Sequence, residues 1–156
     1  MIDWTKLDSL EGWCFHEKME SMYNLIINTK PLSVVEIGVF GGKSLIPQAM
    51  ALKENKLGKI YGIDSWNQND CVNGMCSDEH IQWWSQINYE KIYQGCIASL
   101  KIHEVDDFVQ IHRMTSEEYS YKIDYEIDIL HIDGNHEEEN SQKDVELYVD
   151  VWYYHQ

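Results

Sequence analysis

The residues able to do chemistry gather at four places in the chain. Glu36 and the turn Gly38-Val39-Phe40-Gly41-Gly42-Lys43-Ser44 follow the β-branched pair Val34-Val35. Asp64, with Ser65 and Trp66 behind it, closes the run Ile60-Tyr61-Gly62-Ile63. Ser116-Glu117 follow an alternating stretch at 108–112, and Asp133-Gly134-Asn135-His136 end the run 127–132. Each group stands just past a short hydrophobic run. Gly38 and Gly42 let the backbone approach a ligand closely. The first N–H groups of a helix behind the turn, with the Ser44 hydroxyl, can bind a carboxylate. Asp64 follows Gly42 by 22 residues, about where a ribose-binding acid stands in nucleoside-binding folds, and a carboxylate there accepts two hydrogen bonds from the ribose hydroxyls.

The hydrophobic period supplies the elements that must position these groups. Phe15, Met19, Met22, Tyr23, Ile26 and Ile27 recur at helical spacing, so a helix is expected over 15–28, stopped by Pro31. A strand over 34–38 leads through the glycine turn into a helix over 45–56. Pro47 falls in that helix's first turn, where its missing N–H costs little, and Gly58 ends the pattern. A strand over 60–64 is followed by a polar loop over 65–77. Asp78 caps a long helix through Ile81, Trp84, Ile87 and Ile92 to Leu100, with Gly95 as its weak point. Strands over 108–112 and 127–132 flank a short helical segment opened by Ser116. A last helix starts near Ser141 with Val145, Tyr148, Val149 and Trp152 on one face. Strands alternating with helices mean an α/β fold with a parallel sheet and right-handed crossovers. Ligands in such sheets bind beyond the carboxyl ends of the strands, which brings all four groups to one edge. With no repeat and no linker, one domain is expected over residues 1–156, a helical segment at 1–30 preceding an α/β core at 31–156.

Composition narrows the partners. The 156 residues are 44% hydrophobic and 25% charged, which suits a packed domain rather than a disordered chain. The formal net charge is −15 and Arg113 is the only arginine. Such a surface repels phosphate backbones and anionic membranes and suits a cationic small molecule. No apolar run is long enough to cross a bilayer, and Met1-Ile2-Asp3-Trp4 is not the start of a secretory signal, so a cytoplasmic protein with reduced cysteines is expected. Cys71, Cys76 and His80 form C-x4-C-x3-H, one ligand short of a structural zinc site, and read as part of a surface loop.

Ligand chemistry can be sorted on the first turn. A dinucleotide site wants G-x-G-x-x-G, but Val39 and Phe40 follow Gly38, and Glu36 would repel a pyrophosphate. Gly38-x3-Gly42-Lys43-Ser44 approaches the phosphate loop G-x4-G-K-[ST] but is one residue short. An adenosyl ligand carrying a sulfonium and an ammonium is instead attracted to Glu36.

Glu36-x-Gly38-Val39-Phe40-x-Gly42-x-Ser44 resembles motif I of the class I S-adenosylmethionine-dependent methyltransferases, most closely the small-molecule O-methyltransferases, including the catechol type. Ile132-Asp133-Gly134-Asn135-His136, followed by Asp144, resembles the family-24 branch, which includes sugar and macrolide methyltransferases and cephalosporin-hydroxylase-like proteins. Gly12-Trp13 is similar to that branch as well. The resemblance implies a Rossmann-like three-layer sandwich with a mainly parallel sheet in the order 3-2-1-4. It implies S-adenosylmethionine as cofactor and methyl transfer to a hydroxyl of a small molecule such as a sugar. Glu36, Gly38, Gly42 and Ser44 would surround the methionine part, with Phe40 as pocket wall. Asp64 would hold the ribose, with Ser65 and Trp66 near the adenine, and Ser116 and Glu117 would contact the adenine ring. Asp133 would sit beside the methyl group, as base or as ligand to a divalent cation such as magnesium, with His136 as a second candidate base. Family members continue with a fifth strand, whose acids complete the metal site, and a β-hairpin. The expectation is therefore a C-terminally shortened sheet whose fourth strand is an open edge, suited to pairing with a second copy. A non-catalytic cofactor-binding module and a phosphate-binding NTPase are the alternatives.

Overall fold

Alternation along the strands sorts the side chains to two faces, and helices cover both. The structure is a computed structural model and describes residues 2–75, 77–134 and 138–154. The helices are α1 (His16–Thr29), α2 (Leu45–Asn55), α3 (Gln68–Val72), α4 (Asp78–Ser85), α5 (Tyr89–Ile102), α6 (Ser116–Ser120) and α7 (Glu138–Tyr154). The strands β1 (Ser33–Ile37), β2 (Lys59–Asp64), β3 (Val109–Arg113) and β4 (Ile129–Ile132) form a parallel sheet in the order β3-β2-β1-β4, as the resemblance implied. Val34 and Ile60 pack with Met19 and Ile26 of α1, Leu45, Ile46, Ala49 and Leu52 of α2, and Cys96 and Leu100 of α5. Val35, Ile37 and Ile63 point the other way, onto Tyr119 of α6, Ile123, Ile127 and Tyr148 of α7. The sheet thus lies between two helical layers. Among the described residues no helix is long and apolar enough to cross a membrane.

The element boundaries depart from expectation where side chains bond locally to the backbone. The helix expected over 78–100 is two helices, and the break falls before α5, where the Asn88 side chain accepts from the Lys91 N–H at 3.0 Å. Gly95 lies uninterrupted inside α5. A polar cap stabilises a helix start by about 1 kcal/mol, and one interior glycine costs about as much, so the cap prevails. The loop over 65–77 contains α3, started by the Asn67 side chain accepting from the Asn69 N–H at 2.9 Å. β4 begins later than expected because Asp128 braces β1 from below, accepting from the N–H groups of Leu32 and Ser33 at 2.7 and 3.0 Å. α1 ends at Lys30 in the left-handed conformation, its N–H donating to the Ile26 carbonyl at 2.9 Å.

Candidate functional site

β1 and β4 run so close at their carboxyl ends that only glycine fits between them. Gly38 has φ +85°, and a Cβ there would stand 2.4 Å from the Asp133 carbonyl oxygen. The Asp133 N–H donates to the Ile37 carbonyl at 2.8 Å, and the Gly38 N–H to the Ile63 carbonyl at 2.9 Å. Past Gly38 the turn is braced from β2. Asp64 Oδ2 accepts from the Val39 and Phe40 N–H groups at 3.1 and 2.9 Å, and Oδ1 from the Trp66 N–H at 2.8 Å. Phe40 is held in the left-handed region at φ 49°, with its carbonyl accepting from Trp66 Nε1 at 2.9 Å. Burial pushes the Asp64 carboxyl above the usual carboxylate range, and the three backbone donors partly offset this. A carboxylate has about four acceptor positions. Three are occupied, so Asp64 has about one left for a ligand, where the sequence suggested two. The N–H groups at 38, 39, 40 and 42 all donate within the chain, and no run of them converges on a phosphate.

Glu36 corrects the expectation that it surrounds a ligand. Its side chain is 0% exposed and lies beneath the turn, on the face covered by α2. Oε1 accepts from the Ser44 hydroxyl at 2.8 Å; Oε2 accepts from the Gln48 amide and from His131 Nδ1, the latter at 2.9 Å. The physical reason is strand alternation, which turns Glu36 toward the Val34 face. Trp66 is likewise displaced from its expected place. It is 2% exposed, packs edge-on against Tyr93 with ring centroids 5.0 Å apart, and is in the lining of neither cavity along this edge. Gly42, at φ +85°, lies in the turn above Cys96 and lines neither cavity.

Two adjoining cavities open along this edge. The smaller, ≈ 430 Å³, is lined by Gly12, Trp13, Val39, Lys43, Ser44 and Trp83 together with Gly38, Phe40, Trp84, Asp133 and Gly134. Its aromatic rings meet at large angles: Trp13–Trp84 at 62°, Phe40–Trp84 at 80° and Trp83–Trp84 at 89°, while Trp13 stacks on Phe40 at 25°. The larger, ≈ 530 Å³, shares those last five residues and adds Asp64, Ser65, Asp70, Ser116, Glu117, Lys143 and Asp144 among others. Ser116 opens α6 and donates its hydroxyl to Asp144, and Glu117 is paired with Lys143 at 2.6 Å. Burial raises the Asp144 carboxyl above its usual range. Carboxylates thus dominate the larger cavity, and Lys143, which lines it, is already paired.

Asp133 stands where the cavities join. Its Oδ2 accepts from Lys18 Nζ at 2.9 Å, and His131 Nε2 lies 3.9 Å from the same oxygen. Among the described residues no three His, Cys, Asp or Glu side chains are placed together to hold a metal ion. His136, the second candidate base, and Cys76 of the C-x4-C-x3-H spacing lie outside the described residues. Sequence reasoning missed Lys18, His131, Lys143 and Trp83. For His131 a signal existed, because it precedes Asp133 by two positions on one strand and so shares its side of the sheet. For Lys18 there was none, since its reach depends on how α1 lies over the sheet.

A family model described as a methyltransferase domain matches residues 35–153. Among solved structures, the chain resembles the SAH-bound methyltransferase PaMTH1 of Podospora anserina, with a TM-score of 0.69 and 16% identity over 95% of this chain and 54% of that one. It also resembles the O-methyltransferase TomG of Streptomyces achromogenes, involved in tomaymycin synthesis and solved with SAM, with a TM-score of 0.64 and 17% identity over 96% and 55%. A third is an O-methyltransferase of Bacillus cereus in complex with SAH, with a TM-score of 0.61 and 16% identity over 94% and 56%. The chain spans about half the length of these proteins, and at such identity the likeness is one of fold. No curated protein matches. On the family match, the chain belongs to the methyltransferase-domain family.

Proposed function

We propose, from its place in the methyltransferase-domain family, that the chain binds S-adenosylmethionine along the carboxyl edge of its sheet and directs the methyl group to a hydroxyl of a small molecule at Asp133. The observation that carries the reading is the charge of the larger cavity. Asp64, Asp70, Glu117, Asp133 and Asp144 line it; Lys143 is bonded to Glu117 and Lys18 to Asp133, so the acids still outnumber the ammonium groups beside them. A low-dielectric cleft with that balance attracts a cationic adenosyl ligand and repels a nucleoside polyphosphate. The inward-donating N–H groups of the glycine turn likewise favour this reading over an NTPase.

The cofactor, when bound, supplies a methyl group on a sulfonium that is already activated. The protein's task is therefore alignment and proton removal. Asp64 and Ser65 would hold the ribose side, and Ser116 and Glu117 the base. Gly38, Phe40 and Ser44 would border the methionine end. Glu36 acts through others, fixing Ser44, Gln48 and His131. Asp133 would receive the acceptor's proton on the oxygen that Lys18 does not hold. The aromatic walls of the smaller cavity would give an acceptor, a sugar or another hydroxylated molecule, an apolar face to rest on.

Calorimetric titration of the purified chain with S-adenosylhomocysteine is the direct test. Binding is expected, ATP is expected not to compete, and Asp64→Ala is expected to abolish it by releasing the turn. Undiminished binding in Asp64→Ala would remove that residue from the site, and preferential binding of ATP would overturn the reading. Turnover of S-adenosylmethionine with a panel of hydroxylated acceptors separates transfer from binding alone.

A further inference from the structure

The pair Lys18–Asp133 joins the first turn of α1 to the end of β4, and its Asp133 end lines both cavities. Met19, 0% exposed, and Ile26, 1% exposed, anchor α1 in the core and so fix the turn that carries Lys18. Asp133 is fixed from the other side by its backbone bond to Ile37. The pair is thus built from two rigid elements. It also remains reachable, with 38% of the lysine and 22% of the aspartate side chain exposed.

A divalent cation on Asp133 would have to displace the ammonium from Oδ2. A hard ion such as magnesium asks for a near-octahedral set of oxygens. Among the described residues the nearby groups do not supply it. After Lys18, the neighbour that stands by the Asp133 oxygen among the described residues is an imidazole nitrogen, His131 Nε2, at 3.9 Å. The other carboxylate in the cluster, Glu36, is fully buried and bonded to Ser44, Gln48 and His131.

We infer that Lys18, in place of a divalent cation, is the resident counter-charge of Asp133, and that its ammonium donates to the oxygen of the methyl acceptor. An ammonium has three N–H donors. Asp133 takes one, and Asp133 is the hydrogen-bond partner of Lys18 among the described residues. The remaining donors stand beside the carboxylate that would receive the acceptor's proton. One oxygen of the acceptor can therefore meet a donor and a base at the same spot. The acceptor role rests on the proposed methyl transfer at Asp133; the counter-charge role does not.

Nitrogen-15 NMR of the lysine ammonium groups tests the pair directly, with the Lys18 resonance identified by its loss in Lys18→Arg. The resonance is expected to shift in Asp133→Asn and to stay unmoved at about 1 mM magnesium or manganese, the weak end of protein carboxylate sites. Displacement of the signal by either ion, or manganese uptake by the wild type that Asp133→Asn abolishes, would overturn the inference. In turnover assays with hydroxylated acceptors, EDTA is expected to leave the rate unchanged. Lys18→Met should lower kcat about 100-fold, the usual loss for one donor at a reacting oxygen, and Lys18→Arg should retain most of it. Affinity for S-adenosylhomocysteine should be equal in all three proteins. A fall in that affinity with kcat intact would assign Lys18 to the cofactor and overturn the acceptor role. Failure of the wild type to bind S-adenosylhomocysteine would overturn the methyltransferase reading and the acceptor role with it, while the ammonium resonance still decides the counter-charge.

Discussion

Replacing Gly38 by alanine should open the junction between β1 and β4. The added Cβ would stand 2.4 Å from the Asp133 oxygen, 2.5 Å from the Gly134 Cα and 2.6 Å from the Asp133 carbonyl carbon. All three are backbone atoms, so no side chain can swing aside. Reaching even a tight 3.0 Å contact needs the strand ends to part by more than half an ångström. The bond at risk is the 2.8 Å donation from the Asp133 N–H to the Ile37 carbonyl. The left-handed φ costs alanine roughly 1–2 kcal/mol, and the lost hydrogen bond roughly 0.5–1.5 kcal/mol. The expected loss of stability is about 3 kcal/mol, which at a urea slope of about 2 kcal/mol/M lowers the unfolding midpoint by about 1.5 M. Two companion variants isolate the cause. Gly42→Ala has the same φ, +85°, but its Cβ would meet the Cys96 sulfur at 3.0 Å, a side chain that can yield. It should lose only the conformational part, about 1–2 kcal/mol. Gly95→Ala, inside α5 with nothing within 4 Å, should gain roughly 0.5–1 kcal/mol. Urea denaturation of the three proteins gives the ranking. A Gly38→Ala loss no greater than that of Gly42→Ala would refute the argument that the β1–β4 approach dictates glycine.

Glu36→Leu leaves the Ser44 hydroxyl, the Gln48 amide and His131 Nδ1 without their acceptor in a buried place, and should cost about 3–5 kcal/mol in the same assay; a loss within the range of surface substitutions would show that the network relaxes without it. His112 is packed beside Tyr119, with ring centroids 4.5 Å apart, and its Nε2 is buried without a hydrogen-bond partner. Burial, helped by Lys122, holds its pKa below the usual 6.5, so the neutral ring's contribution is fully present above about pH 6.5 and is lost as pH falls through the depressed folded value. His112→Phe should remove that part of the decline in melting temperature on acidification, and an unchanged decline would assign it to other groups.

The sheet was legible because its strands are short β-branched runs ending in acids and separated by helical periods. That pattern gives a parallel sheet and places Asp64, Ser116 and Asp133 on one edge. The glycine turn was legible as a place of close approach, but not which backbone approaches it. The neighbour is Asp133 itself, from 95 residues away along the β1–β4 pairing of Glu36 with His131. The helix break before α5 was misread because a glycine was weighed above an asparagine cap. Lys18 was invisible because no local rule says where a helix docked by Met19 and Ile26 will aim its neighbouring lysine.

Glu36 is the residue whose meaning changes most. Read along the chain, it is an acid at the mouth of a ligand turn; in the fold it is a buried carboxylate joining three elements. It takes Ser44 from the start of α2, Gln48 from within α2 and His131 from β4, the residue directly opposite it in the β1–β4 register. Because side chains alternate across a strand, a slip of one residue between β1 and β4 would turn His131 to the other face and leave Glu36 opposite an apolar neighbour, Leu130 or Ile132. A buried carboxylate without that partner is costly enough to exclude the slipped pairing. An apolar pair at the same place would pack as well but would tolerate the slip. The register that Glu36 and His131 select is the one that brings Asp133 against Gly38, two residues further along both strands. The acid of the turn thus fixes the place of the acid at the end of β4 from beneath, through the register alone.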